Sequence, residues 1–297
     1  MSKIVLKGLP PEKNFLGIDE KFSSFWDSKA VIWPVAYERT TTYLKGTVNG
    51  PKAILEASPS LEFYDEIRKY EPYRVGITTL PIMTEFAASE EDALKEISEG
   101  ARQILTEGKF LVTLGGEHSI TPALVREFKT LHPNLSVLHL DAHADLRDSY
   151  EGSRNNHACA MARTHEICPH VSMGIRAYSV EEAALIEKEK LNIIHAYEMH
   201  GLINWQRKIL ESLSDTVYIS LDFDYFDPGI MPAVGTPEPG GGDWYGTLNF
   251  LEKVFATKNV VGIDLVELRP IPNFEVPAFT AARMAYHLIS MKFWERG

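Results

Sequence analysis

Six side chains in three short stretches carry the strongest chemical signal of the sequence: His118 in GGEHS, Asp141, His143 and Asp145 in DAHADLRD, and Asp222 and Asp224 in SLDFDYFDP. Carboxylates and imidazoles at alternate positions, each stretch closing an apolar run, are how strand ends present ligands to divalent cations. Hard carboxylate oxygens with a minority of imidazole nitrogens suit Mn2+ better than a structural zinc, which would recruit thiolates. Two divalent ions would nearly neutralise four carboxylates and lower the pKa of a water held between them, giving hydroxide at neutral pH. A lone D-x-H or D-x-D is ordinarily a turn or a cap. Three such pieces at the ends of separate apolar runs are harder to explain structurally, because uncompensated carboxylates crowded together repel one another.

Placing these groups side by side requires strands. Short β-branched runs bounded by turn residues predict them at 30–36, 73–80, 109–116, 134–143, 170–176, 191–198, 215–224 and 259–268. Helical periodicity is clearest over 89–107, where Leu94, Ile97, Ala101, Ile104 and Leu105 form a stripe and Ser89 with Asp92 resembles a capping box. Further helices are predicted at 51–57, 120–131, 180–190, 202–213, 245–256 and 277–291. Apolar strands alternating with helices imply an α/β fold with a mostly parallel central sheet covered on both faces. Ligands of such sheets collect at the carboxyl ends of the strands. The Gly- and Pro-rich stretch 228–242 reads as an ordered active-site loop, and no domain boundary is visible, so one domain over 1–297 with an irregular arm at 1–29 is expected.

The chain's 297 residues are 44% hydrophobic, enough for a substantial core, with no apolar run of membrane-spanning length and no signal-like N-terminus, which predicts a soluble cytoplasmic protein. Cys159 and Cys168 fit no CxxC motif and read as buried free thiols rather than a bridge. With 30 basic and 41 acidic residues the net charge is −11, which argues against nucleic-acid or membrane partners and mildly favours a cationic substrate.

The three stretches, the last extended as SLDFDYFDPGIMPAVGTPEPGG, resemble the signatures of the ureohydrolase (arginase/agmatinase) family, and 37–58, 262–268 and 280–288 are similar to other segments of it. The resemblance is closest to the agmatinases. It implies a three-layer α/β/α fold, a binuclear Mn2+ site with two ions per subunit on His118, Asp141, His143, Asp145, Asp222 and Asp224, and bridging carboxylates that include Asp141 and Asp145 with Asp222 or Asp224. It further implies a homo-oligomer, trimeric or hexameric, and a small cationic guanidino substrate attacked by the metal-bridging hydroxide.

By the same resemblance Glu267 holds the guanidinium, although as a bare residue it could equally be a charged strand terminus. His157, in GSRNNHACAMAR, matches the family's proton-shuttling histidine, and Asn155 is carried over beside it as a substrate contact. Where agmatinases and arginases follow that histidine with glycine and a bulkier loop, this chain has Ala158, Cys159 and Ala160, a departure from the family's pattern beside the substrate. Arginine-specific members carry asparagine two residues beyond the third ligand. Arg147 stands there instead, which favours agmatine, cleaved to putrescine and urea in polyamine biosynthesis.

Arg147 can alternatively meet a substrate carboxylate or pair with a neighbouring acid such as Asp148. The remaining readings are an arginase, guanidinobutyrase, aminopropylagmatine ureohydrolase or formimidoylglutamase; a single-zinc deacetylase on the related fold; and a non-catalytic metal-binding regulatory protein. His139 reads as a core histidine or a support behind the ligands, and Asp227 and Asp264 each as a turn former or a group that supports a ligand from behind.

Overall fold

The computed structural model describes residues 4–201 and 204–295. Its strands are β1 (Ala30–Val35), β2 (Ile77–Thr79), β3 (Phe110–Gly115), β4 (Leu135–Leu140), β5 (His170–Ile175), β6 (Asn192–His195), β7 (Thr216–Asp222) and β8 (Asn259–Val266). They form one eight-stranded sheet of order β2-β1-β3-β8-β7-β4-β5-β6, parallel at every pairing. Every predicted strand is present, shortened at its ends.

The helices among the described residues are α1 (Glu20–Ser23), α2 (Gly50–Ala57), α3 (Glu90–Leu105), α4 (Thr121–Leu131), α5 (Ala160–His165), α6 (Val180–Glu189), α7 (Ala196–Gly201), α8 (Trp205–Ser212), α9 (Trp244–Thr257) and α10 (Val276–Phe293). The predicted helices correspond to α2, α3, α4, α6, α8, α9 and α10; residues 202–203 of the 202–213 prediction lie outside the described residues. The short helices α1, α5 and α7 were not predicted, because a turn or two carries no readable periodicity. Residues 196–198, expected as strand, are helical: β6 stops at His195, whose N–H is taken by the Glu198 carboxylate at 2.8 Å. The Ser89 hydroxyl caps α3 by accepting from Asp92 N–H at 3.1 Å, but a reciprocal capping box is found at Ser179 and Glu182 instead.

Strand alternation divides the interior into two layers. Ile32, Val112, Leu138, Met173, Ile219 and Leu265 pack with α2, α8, α9 and α10, whereas Val31, Trp33, Leu111, Val137 and Tyr218 pack with α3, α4 and α5. Both faces being covered explains why the strands read as continuous apolar runs. The arm at 4–29 carries α1 and two 3-10 turns, and it is part of the core, with Phe15, Leu16, Ile18 and Phe25 buried. Asn14 completes edge strand β2 by donating to Ile77 O at 3.1 Å and accepting from Thr79 N–H at 2.8 Å, a local cover for an open sheet edge. Cys159 and Cys168 are free and buried. No described helix is long and apolar enough to cross a membrane.

One buried group makes the fold acid-sensitive. His170, at the start of β5, is 4% exposed, and neither ring nitrogen has a hydrogen-bond partner. Burial, with His139 and His165 nearby, pushes its pKa down to about 3. The unfolded chain takes up this proton near pH ~6.5, so stability is lost as pH falls from there toward the native value, by about 1.4 kcal/mol per unit. Between pH 7 and 5 the unmodified protein should therefore lose about 2 kcal/mol more stability in urea unfolding than a His170→Phe variant. Equal losses would show that His170 is not the buried neutral group.

Candidate metal centre

β3, β8, β7 and β4 are neighbours in the sheet, and their carboxyl ends bring the six expected ligands together. His118 opens the turn after β3, Asp141 follows β4 directly, Asp222 ends β7, and Asp224 lies in the 3-10 turn Phe223–Tyr225. Gly115 and Gly116 are needed before His118 for space rather than for a left-handed turn: a Cβ on Gly116 would stand 2.1 Å from Tyr37 O.

The alternating comb is only partly a strand. β4 ends at Leu140, and Asp145 adopts φ 53°, a left-handed conformation that costs a non-glycine residue about 1–2 kcal/mol. The bend carries Asp145 back toward His118 and is held by Met161 N–H and Ala162 N–H, each donating to Asp145 O at 2.9 Å. Strained backbone of this kind persists where surrounding structure enforces it, commonly at functional sites.

His118 Nδ1 lies 3.1 Å from Asp141 Oδ2, 3.2 Å from Asp145 Oδ2 and 3.4 Å from Asp222 Oδ2. It is aligned as a hydrogen bond with none of them. A nitrogen facing three carboxylate oxygens without bonding to any one is the arrangement a cation-ligating imidazole requires, so the residues fit a divalent metal. His143 Nδ1 lies 2.9 Å from Asp224 Oδ2 and 3.5 Å from Asp141 Oδ1. Asp141 thus reaches both histidines through different oxygens, which suits it to bridge two ions, whereas Asp145 approaches His118.

The electrostatics are those of a cation site. Burial would lower the pKa of both histidines, but Asp141, Asp145 and Asp222 around His118, and Asp224 and Asp141 beside His143, hold them well above the imidazole value. Burial and the neighbouring carboxylates Asp224 and Asp141 push Asp222 up; burial and Asp141 do the same to Asp224. Divalent ions would take over the charge balance and displace the histidine protons.

The ligands are oriented from behind. Asp264, fully buried, accepts from Ser220 Oγ at 2.7 Å, Tyr218 OH at 2.8 Å and Thr121 Oγ1 at 3.0 Å. With its proton directed to Asp264, Ser220 must accept from His118 Nε2, 2.9 Å away, which leaves Nδ1 free to ligate a cation. His139 joins Ser172 Oγ at 2.9 Å to Asp141 Oδ2 at 2.8 Å, the supporting place expected of it. The 228–242 loop is tied down as expected: Thr236 donates to Asp224 Oδ2 at 3.3 Å, and Asp227 accepts from Gly229 and Gly240 N–H. Arg176, which spacing did not single out, joins this loop to the turn that carries Asp224, donating to the carbonyls of Asp224, Tyr225, Phe226 and Glu238.

Glu267 follows β8 at φ 64°, a second carboxylate in the left-handed region, and its Oε1 accepts from His118 N–H at 2.8 Å. His157 Nδ1 stands 3.6 Å from that same oxygen. Burial lowers the His157 pKa, but Glu267, with Asp145 and Glu117 behind it, raises it to about 9. A carboxylate and a protonated imidazole thus stand together beside the ligand cluster, able to grip a cation and to give up a proton.

The other two expected substrate contacts lie elsewhere. Arg147 is stacked over Tyr150 and pairs with Glu182 at 3.8 Å, while Asp148 pairs with Arg154 and Arg163. Asn155 lines a cleft of about 490 Å³ with Ser98, Arg102, Glu127 and Arg163, and none of the six ligands lines it. Two residues missed by spacing are Glu117 and Thr40, which connect the GGEHS loop to His157. The signal for Glu117 was its position, an acid between two glycines and a ligand where solvent cannot reach.

Residues 28–290 match the sequence model of the arginase family. The N(1)-aminopropylagmatine ureohydrolase of Synechocystis sp. is 41% identical over 95% of this chain and 94% of its own length. The agmatinase of Pyrococcus horikoshii is 33% identical over 89% of this chain and 92% of its own. The crystal structure of agmatine ureohydrolase from Thermoplasma volcanium superposes with a TM-score of 0.84 at 29% identity, covering 94% of each chain.

Proposed function

The chain belongs to the arginase family, and from that premise we propose that it is a two-metal ureohydrolase cleaving the guanidinium of an agmatine-type amine to urea and the free amine. N(1)-aminopropylagmatine is the first candidate substrate, favoured by the activity for which the Synechocystis relative at 41% identity is named; agmatine is the second, favoured by the agmatinase at 33% and the Thermoplasma volcanium structure. The observation that carries the proposal is His118 Nδ1 set among three carboxylates with the Glu267–His157 pair beside them.

In this reading His118, Asp141, Asp145, Asp222, His143 and Asp224 would hold two Mn2+ ions. Two such ions would lower the pKa of a water between them and so supply the nucleophile at neutral pH. Glu267 accepts guanidinium N–H groups and orients the cation, a charge-assisted contact strengthened by burial. His157, kept protonated beside Glu267, gives its proton to the departing amine nitrogen as the C–N bond breaks. Arg147, paired with Glu182, and Asn155, in a separate cleft, carry no substrate contact in this reading. A homo-oligomeric cytoplasmic enzyme completes the proposal.

The test is urea release by the Mn2+-loaded protein from N(1)-aminopropylagmatine, agmatine, arginine and guanidinobutyrate, with formamide release from formiminoglutamate in parallel. Urea is expected from one or both amines, with kcat/KM about 10²-fold above that for arginine, whose α-carboxylate meets an acid-rich site. No product from any of the five, with two metals bound per chain, would overturn the proposal in favour of a binding protein. One metal per chain would favour the single-ion reading.

A further inference from the structure

We propose that Thr40, latched by Glu117, is the positioning residue for His157, and this rests on the ureohydrolase reading above. Glu117 is fully buried beside the metal ligand His118. Its Oε2 accepts from Arg39 N–H at 2.6 Å and Thr40 N–H at 2.7 Å, and its Oε1 accepts from the hydroxyls of Thr40 at 2.7 Å and Ser119 at 2.5 Å. A carboxylate caged by four donors is spent on them, and three of the four belong to residues 39 and 40.

The hydroxyl of Thr40 has one proton, and Glu117 takes it. Its lone pairs are thereby turned outward, where they accept from His157 N–H at 2.9 Å. Thr40 O also receives Asn156 Nδ2 at 3.5 Å, while Asn156 Oδ1 accepts from Ala158 N–H at 3.0 Å, so both neighbours of His157 are fixed to the same anchor. Thr42 Oγ1 then stands 3.4 Å from His157 Nε2, opposite the Nδ1 edge that faces Glu267 at 3.6 Å. One buried carboxylate joins the turn carrying a metal ligand, the segment that abuts the imidazole, and the backbone of the imidazole itself. Thr40 is itself buried, and its hydroxyl bonds are spent on Glu117 and His157, so its effect on turnover passes through His157. A displacement of about 1 Å in a proton donor can cost about 10²-fold in rate.

The test compares Thr40→Val, which removes both bonds at nearly constant volume, with Thr40→Ser, which keeps them, each in the unmodified enzyme and in a His157→Asn background. Thr40→Val is expected to lower kcat about tenfold with KM and bound metal unchanged, Thr40→Ser to stay within about twofold, and Thr40→Val to have no further effect once His157 is gone. An equal factor in both backgrounds, or metal loss in step with rate, overturns the inference. Should the valine variant fail to fold, Thr40→Ala removes the hydroxyl without adding bulk and is judged by the same criteria. An unmodified protein that releases no urea defeats the ureohydrolase reading and this inference with it. An active enzyme with equal factors defeats this inference alone.

Discussion

Replacing Asp141 with asparagine is expected to leave at most one metal ion per chain and to lower urea release by about 10³-fold or more, a loss of about 4 kcal/mol of transition-state stabilisation. Asp141 is fully buried, and it is the carboxylate whose two oxygens approach different histidines, at 3.1 Å from His118 Nδ1 and 3.5 Å from His143 Nδ1. Both oxygens also accept from fixed donors, Oδ1 from His143 N–H at 2.5 Å and Oδ2 from His139 Nε2 at 2.8 Å. Asparagine keeps the shape but must direct its NH2 at one of those donors, so the variant loses a charge and gains a donor–donor conflict. Metal content by elemental analysis and the rate with added Mn2+ check both parts. Two metals retained at the unmodified rate would remove Asp141 from the ligand set, and with it the shared-ligand arrangement.

The candidate ligands were legible because hard oxygen donors at the ends of apolar runs have few structural uses, and because β3, β8, β7 and β4 are adjacent, so strand ends far apart in sequence converge. The path of the backbone through them was not legible. Alternation predicts one face for Asp141, His143 and Asp145, yet β4 stops at Leu140 and Asp145 arrives through a left-handed residue, which depends on contacts with α5 that no local pattern encodes. Arg147 shows the same limit: sequence proximity suggested Asp148, but the capping-box acid Glu182 receives it across the turn. Thr40 lay hidden in a run of three threonines, 77 residues from Glu117 and 117 from His157. Spacing reports what one element presents. It is silent on which buried polar group satisfies another.

Glu267→Gln separates substrate capture from metal binding. Glu267 is almost fully buried, and its Oε1 serves His118 N–H at 2.8 Å, a bond that a glutamine oxygen can still accept. Its carboxylate stands apart from the oxygens gathered around the two imidazoles, so both metals are expected to remain. What glutamine cannot supply is the charge. A buried charge-assisted contact contributes about 1.5–3 kcal/mol, so kcat/KM for the guanidinium substrate should fall by roughly 10- to 10²-fold.

The pH profile gives a second and independent readout of the same substitution. Burial alone lowers the His157 pKa, and Glu267 is the leading group that raises it to about 9. Without that charge the protonated imidazole is lost at lower pH, so the alkaline limb of the rate should move toward acid by about one unit or more. Divalent ions held by the ligand cluster would pull His157 down in both proteins, which makes the displacement between the two profiles the quantity to compare. An unmoved limb would mean that His157 does not donate the proton. Metal loss in the variant would instead make Glu267 part of the ligand cluster.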